Sequence, residues 1–487
     1  MIKNNPSLVC FSSIHVAKPI IEGKKSSAVI TLTPYNEAPC HFRLQAVYGS
    51  SLDSSDQAMV NLAFCIPLLN YGLFSKSFHL DFPLNQSDID LLSSLNIIFS
   101  ADIFVNKILR RRTNYIHSEY FPNEKNISKI DAHPKATFLP ASITIDSVIS
   151  SSVNHNRCGI LSSGGKESLL TYGILKEIDA AVYPLYVNES GGHWRTALEA
   201  YRYHTKVEAR TGKVWTNIDR FYNFMLDHLL FIRGDHRKIR ADTYPIRLCI
   251  FPFYVFLLLP LFVKNRIGNL LIGSEFDDLR TTPTYAGINH YYGVYDQHQD
   301  FDVLMNQWYA KRIPGLIQWS AVRGISGLIV ERILVNRYPK LVRHQRSCHS
   351  CHIKDNKIIP CGKCSKCMGV LLFLLANKTD PKIMNFSKHD IIDFPKRITS
   401  SNLRLDQDEK DQSFYLIHNR KIIPDIKPVD HIEQIHIDPV RCSLELIPPH
   451  FRLKLLHILE QYTTGYCELK NEQWVPIKKP TEKKLRC

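Results

Sequence analysis

Residues 158–168 read Cys-Gly-Ile-Leu-Ser-Ser-Gly-Gly-Lys-Glu-Ser. A short apolar run ends in a Ser/Gly/Gly turn, and apolar residues then recur at Leu170, Ile174, Leu175 and Ile178, close to helical spacing. Strand, tight loop, helix is the expected order, and it commits this part of the chain to an α/β unit. Paired glycines let the backbone approach a ligand closely. The loop N–H groups and the positive end of the helix converge on one point, which suits an anion. Lys166 and the hydroxyls of Ser163 and Ser168 add donors. The stretch is therefore read as a cradle for phosphate or pyrophosphate.

Downstream, 180–187, 213–218 and 269–274 read as further strands separated by helical stretches, including 196–210. Such alternation predicts a parallel sheet with both faces covered. Ligands of such sheets bind outside the carboxyl ends of the strands. That places 163–168, 188–192 and 273–278 around one crevice. The loop after Gly273 carries Glu275, Asp277, Asp278, Arg280, Asn289 and His290 among several tyrosines. Its carboxylates suit magnesium binding or proton transfer. Glu275, Asn289 and His290 are candidates for substrate handling.

Residues 1–150 show no catalytic motif. Strand patterns at 28–32 and 42–48 and helical patterns at 58–73 and 85–108 predict a small α+β domain, with a polar linker over 123–140. Residues 151–380 form the expected catalytic domain and 381–487 a C-terminal extension. The sixteen uncharged residues 248–263 contain two prolines. A helix rising about 1.5 Å per residue over that length falls short of a hydrocarbon core about 30 Å thick, so a buried helix is expected, not a membrane span.

The chain has 487 residues, 44% hydrophobic and 22% charged, with a formal net charge of +15. It is long enough for two or three globular domains and too apolar for disorder. The positive excess suits phosphorylated small molecules or nucleic acid without choosing between them. The opening Met1-Ile2-Lys3-Asn4-Asn5-Pro6 is polar, so no secretion signal is expected and the cytoplasm is the expected compartment.

Five of thirteen cysteines fall within 348–367: Cys348, Cys351, Cys361, Cys364 and Cys367. Cysteines at two-residue spacing feeding a helix wrap one ion, and a distant cysteine closes the tetrahedron. Zinc is expected in a reducing compartment. Five cysteines compete for four positions, with His349 and His352 as further candidates.

Ser163, Gly164, Gly165 and Ser168 resemble the SGGxDS loop of the PP-loop ATP pyrophosphatases, an adenine nucleotide α hydrolase-like fold that splits ATP into AMP and pyrophosphate. Glu167 stands where that superfamily carries aspartate, which helps hold Mg²⁺. The resemblance implies that Ser163, Gly164, Gly165, Lys166 and Ser168 bind the phosphates of ATP. A cysteine followed by CGxCxxC is the pattern of the 7-cyano-7-deazaguanine synthases, whose first zinc cysteine follows a serine. On that likeness Cys348, after Ser347, is the ligand with Cys361, Cys364 and Cys367, and Cys351 is the alternate. The whole layout resembles the UDP-N-acetylmuramoyl-L-alanyl-L-glutamate epimerases of peptidoglycan precursor synthesis. Their Ser-Asn-Glu is matched by Gly273-Ser274-Glu275, their Val-Asn-His by Ile288-Asn289-His290, and their late Ile-Pro-Pro by Ile447-Pro448-Pro449. The implied activity is adenylation of a small-molecule carboxylate, with Lys166, Glu167, Glu275 and His290 in the reacting centre and ATP, Mg²⁺ and Zn²⁺ as cofactors. An amide-forming ligase of the cyano-deazaguanine kind is the alternative, and a tRNA-modifying enzyme of the same superfamily is a further one.

Overall fold

The structure, a computed structural model, describes residues 7–481 except 36, 111–114, 124–126, 151, 240–245, 279, 349, 401–402, 404 and 419–425, and except the side chains of 399 and 400. His349 lies outside the described residues.

One mostly parallel sheet of 11 strands organises the chain. Five of its strands are mutually parallel, in the spatial order Ile317–Trp319, Ile267–Ile272, Asn154–Leu161, Ala181–Asn188, Gly212–Thr216. The chain builds outward from Asn154–Leu161 in one direction, then returns to its other side with Ile267–Ile272. The reversal opens a crevice between the carboxyl ends of those two strands, where an open α/β sheet binds its ligands. The loop after Leu161 and the loop after Ile272 both end there.

The sheet does not stop at Gly212–Thr216. Cys40–Tyr48 pairs antiparallel with it, Val214 opposite Tyr48, and Lys25–Pro34, Phe11–Val16, Ser77–Leu80 and Thr137–Pro140 follow outward. The strand readings at 28–32 and 42–48 fall inside these elements. The stretch 123–140, expected as a linker, ends in the far edge strand Thr137–Pro140, parallel to Ser77–Leu80. Its alternate burial, with Phe138 inward, fits a half-covered strand.

Two cores cover the two faces. On one, helices Gln57–Cys65, Gln86–Ile103 and Ile250–Lys264 pack with Gln299–Arg312. Ile250–Lys264 is apolar on every side because it is enclosed on every side, by the sheet and by Gln57–Cys65. Leu257, Leu258 and Leu259 are fully buried, each contributing about 1.5–3 kcal/mol. Among the described residues no helix is long and apolar enough to cross a membrane. On the other face lie Lys166–Glu177, Gly192–Val207, Gly327–Arg337 and Ser365–Ala376. The C-terminal region packs into this second core. It comprises helices Lys388–Ser400, Gln407–His418 and Pro449–Glu460 with short helical turns, and a three-stranded sheet of Ile435–Ile437, Tyr466–Lys470 and Gln473–Ile477.

Candidate functional site

Helix Lys166–Glu177 starts at Gly165, which is extended and offers no side chain to cap the first N–H groups. The helix dipole therefore meets the crevice without an internal acceptor. The loop is braced from within: Ser163 Oγ accepts from the Gly165 N–H at 3.3 Å, and Ser168 Oγ donates to the Gly165 carbonyl at 3.2 Å. Gly164 has φ +77°, and a Cβ there would lie 3.1 Å from the Ala197 Cα. The left-handed angle alone costs a non-glycine residue about 1–2 kcal/mol. Gly164→Ala should therefore lower the unfolding free energy by about 1–3 kcal/mol in denaturant melts. A loss under about 0.5 kcal/mol would mean that the loop does not need this angle.

Lys166 does not extend into solvent. Its ammonium pairs with Glu167 and lies 2.9 and 2.7 Å from the two carboxylate oxygens of Glu275. Burial works against the charge, but the two carboxylates overcome it and hold Lys166 well above the ordinary lysine range. Gly273 lets the end of strand Ile267–Ile272 close onto the first turn of helix Lys166–Glu177, since a Cβ there would meet the Glu167 Cβ at 2.8 Å. Glu275 lies against Gly327, the first residue of helix Gly327–Arg337. That N-terminus also gives the Leu328 N–H to Glu409 at 3.0 Å.

Two further acids, Glu331 and Glu409, feel the Lys166 charge. One ammonium does not offset the burial of Glu275, Glu331 and Glu409, so protons are held more tightly there. Burial pushes Glu275 up to about 8, against the pull of Lys166. It pushes Glu331 and Glu409 up to about 7. Glu331 is fully buried; one of its oxygens accepts from Gln345 Nε2 at 2.9 Å and the other has no partner. Carboxylate oxygens are the ligand type that a hard divalent cation such as Mg²⁺ takes.

The sign of the pH effect follows. A carboxyl raised on folding keeps its proton in the folded chain where the unfolded chain has lost it. Stability then falls as pH rises from about 4.5 to about 7, and the loss is complete above that window. For Glu331 a shift of that size is worth about 3 kcal/mol. Glu331→Gln should match the parent near pH 4.5 and exceed its stability by up to about 3 kcal/mol at pH 8 in denaturant melts. Parallel pH profiles for the two proteins would contradict this.

The cysteine cluster closes beside the cradle. Asp355 and Asn356, both left-handed, turn the hairpin His352–Lys354/Lys357–Ile359, which folds the Cys348 arm onto Cys361, Cys364 and Cys367. These four sulfurs form one group, with Cys348–Cys364 at 3.6 Å and Cys361–Cys367 at 3.8 Å. The edge of a zinc–thiolate tetrahedron with bonds of about 2.3 Å is about 3.8 Å, so the group fits Zn²⁺. Hydrogen bonding with the Cys348 thiol pulls Cys361 below the ordinary thiol range and Cys364 down to about 7. Cys351 is outside the group: it is buried, its thiol is raised by burial and faces Thr196, and its carbonyl accepts from Arg195. His352 is an exposed hairpin residue. Two residues before Cys348, the Arg346 N–H donates to the Gly164 carbonyl at 2.9 Å, which ties the cluster directly to the cradle.

Of the residues expected at the site, Ser163, Gly164, Gly165, Lys166, Glu167, Ser168 and Glu275 come together at the reversal point. His290 has its contacts elsewhere: Nδ1 accepts from the Tyr292 N–H at 3.1 Å, the ring meets Tyr292 edge-on, and burial beside Arg110 lowers it to about 4. Asn289 lies in the two-stranded ribbon opposite Thr284. The 188–192 loop is closed by charge: buried Glu189 faces His193 at 3.0 Å and Arg247 at 3.4 Å, and Arg247 reaches Asp219 at 2.7 Å. Glu331, Gln345 and Glu409 were missed by sequence reasoning. Glu331 had a trace, as a carboxylate inside the apolar run Leu328-Ile329-Val330-Glu331-Arg332-Ile333-Leu334. Compared with known proteins, the chain matches no family, no curated sequence and no solved structure.

Proposed function

We propose that this chain activates a carboxylate with ATP, releasing AMP and pyrophosphate, in the manner of the PP-loop ATP pyrophosphatases. One observation carries the reading: an uncapped helix N-terminus behind a Ser-Gly-Gly-Lys loop stands at the reversal point of a parallel sheet, with Lys166 and a group of carboxylates converging on it. The loop N–H groups and Lys166 would hold the phosphates. Glu167 and Glu275 would hold Mg²⁺, which neutralises charge on the departing pyrophosphate. Binding a polyanion and a divalent cation together balances the site, because the ammonium turns to phosphate and the carboxylates to the metal.

The substrate that fits the sequence resemblance best is the terminal glutamate of a UDP-muramoyl dipeptide. An oxygen of its α-carboxylate attacks the α-phosphorus of ATP and pyrophosphate leaves. The acyl adenylate has a more acidic α-proton than the carboxylate. A base removes that proton, another proton returns from the opposite face, and water releases the inverted glutamate and AMP. The four-cysteine group beside the cradle is equally suited to a cyano-deazaguanine synthase-like ligase, whose acceptor is a carboxy-deazaguanine. AMP release measured across both acceptors, with tRNA as a third, decides the substrate. AMP with the dipeptide alone, indifferent to tRNA, is the expected result. AMP with none of them contradicts these substrates.

A further inference from the structure

A second convergence of side chains lies beyond the cradle. Asp278 sits three residues past Glu275 in the loop after strand Ile267–Ile272. Asp408 is in the first turn of helix Gln407–His418, and His431 in the short helical turn Asp430–Glu433. One ligating atom from each lies within 4.8 Å of the others. We propose that Asp278, Asp408 and His431 form a binding site for a divalent first-row transition-metal ion, separate from the four-cysteine group and independent of the ATP reading, with Arg280 as the internal cation that the metal displaces.

Hydrogen bonds fix what His431 offers. His436 is fully buried, and its Nδ1 lies 3.3 Å from the Gly324 carbonyl, which can only accept. Nδ1 therefore carries the proton and Nε2 is an acceptor. Nδ1 of His431, 3.0 Å from that nitrogen, must be the donor. The remaining nitrogen of His431, Nε2, points at Asp408 Oδ2 from 3.0 Å. That nitrogen and the carboxylate oxygen converge on one point, as two ligands of a shared cation do.

The other sides of the donors are pinned, as around metal ligands. Asp278 Oδ1 accepts the Trp474 indole N–H at 2.7 Å, which leaves Oδ2 free to point inward. His431 is oriented by His436, whose ring stacks on Phe276 at 3.6 Å. The inward oxygens now meet the Arg280 guanidinium, which is 2.8 Å from Asp278 Oδ2, pairs with Asp408 and lies 3.5 Å from His431 Nε2. Arg280 is the most exposed of the group, 36% in its side chain, and turning it outward exchanges its two bonds to the buried Asp278 Oδ2 for the metal. Asp277 and Asp406 add negative charge next to the pair of ligands. One imidazole and two carboxylates suit Mn²⁺, Co²⁺ or Zn²⁺ better than Cu⁺ or a thiophilic ion.

The test uses the full chain with zinc already supplied to its cysteine cluster. Mn²⁺ is titrated and its free six-line electron paramagnetic resonance spectrum followed, with Co²⁺ absorption in parallel. Loss of the free spectrum at one ion per chain is expected. Arg280→Ala should tighten binding at least tenfold by removing the competing cation, and His431→Gln should abolish it with circular dichroism and zinc content unchanged. Asp408→Asn should weaken binding at least tenfold; if it fails to fold, the Arg280 and His431 variants still decide. Free spectra unchanged up to millimolar metal in both the parent and Arg280→Ala overturn the proposal. So does binding that survives His431→Gln and disappears in Glu275→Gln, which would place the ion in the cradle.

Discussion

Cys361→Ser protein should lose its zinc, falling from about one ion per chain to under about 0.1, and should melt several degrees lower with a tendency to aggregate. The reason is local. Among the described residues between Cys348 and Ser365 the regular structure is a three-residue-per-strand hairpin, and both His352 and Lys354 on it are exposed. Such a hairpin is marginal without a staple. The structural zinc of small finger peptides contributes about 10–16 kcal/mol of apparent binding energy, most of which appears as folding. The damage should also travel. Arg346 donates to the Gly164 carbonyl, and Thr196 Oγ donates to the Cys348 carbonyl at 3.3 Å, so the cluster holds both the cradle and helix Gly192–Val207. ATP affinity should fall with zinc content. Cys351→Ser should keep its zinc; zinc lost there and retained in Cys361→Ser would reverse the ligand assignment.

Lys166→Ala should reduce AMP formation by about 10²-fold or more, the usual cost of removing one preorganised charge from a reacting centre. Stability should respond less. Breaking a buried ion pair commonly costs about 3–5 kcal/mol because a bare charge is left behind. Glu275, already pushed up to about 8, can escape that cost by keeping a proton. Lys166→Ala is thus expected to fold, with a melting midpoint that becomes more acid-favoured than the parent's. Lys166→Arg should restore the midpoint but not the rate, because a planar fork does not replace a point charge in a tight loop. Equal loss of folding and activity in both variants would make Lys166 a structural residue only.

The parts of the site legible in the sequence were those written in neighbouring residues. Strand, Gly-Gly turn and helix lie within about two dozen positions, and the spacing of Cys361, Cys364 and Cys367 is itself the geometry of a turn around one ion. Cys348 was preferred over Cys351 on the Ser-Cys likeness alone, and the physical reason is the hairpin, which sets the one against the cluster and the other against Thr196. What was not legible came from far along the chain. Glu409 and Glu331 come within reach of the Lys166 charge through packing of distant helices, and beyond the lone carboxylate in the apolar run at Glu331 no local pattern announces it. The same holds for the sheet. The strands near 28–32 and 42–48 were readable by their alternation, but the pairing of Cys40–Tyr48 with Gly212–Thr216 joins residues well over a hundred positions apart. His290 came from a motif alone, and its neighbours Tyr292 and Arg110 could not be read from that motif.

A substrate carboxylate that becomes an adenylate must pass one of its oxygens to phosphorus. The acceptor is prepared with ¹⁸O in its carboxylate and turned over with unlabelled ATP, and the AMP is analysed by mass spectrometry. Adenylation followed by hydrolysis at the carbonyl leaves one substrate oxygen on phosphorus, so the account predicts AMP carrying a single ¹⁸O. AMP formed in step with acceptor turnover but carrying no ¹⁸O would contradict it, because ATP would then be cleaved by water and the carboxylate never joined to it.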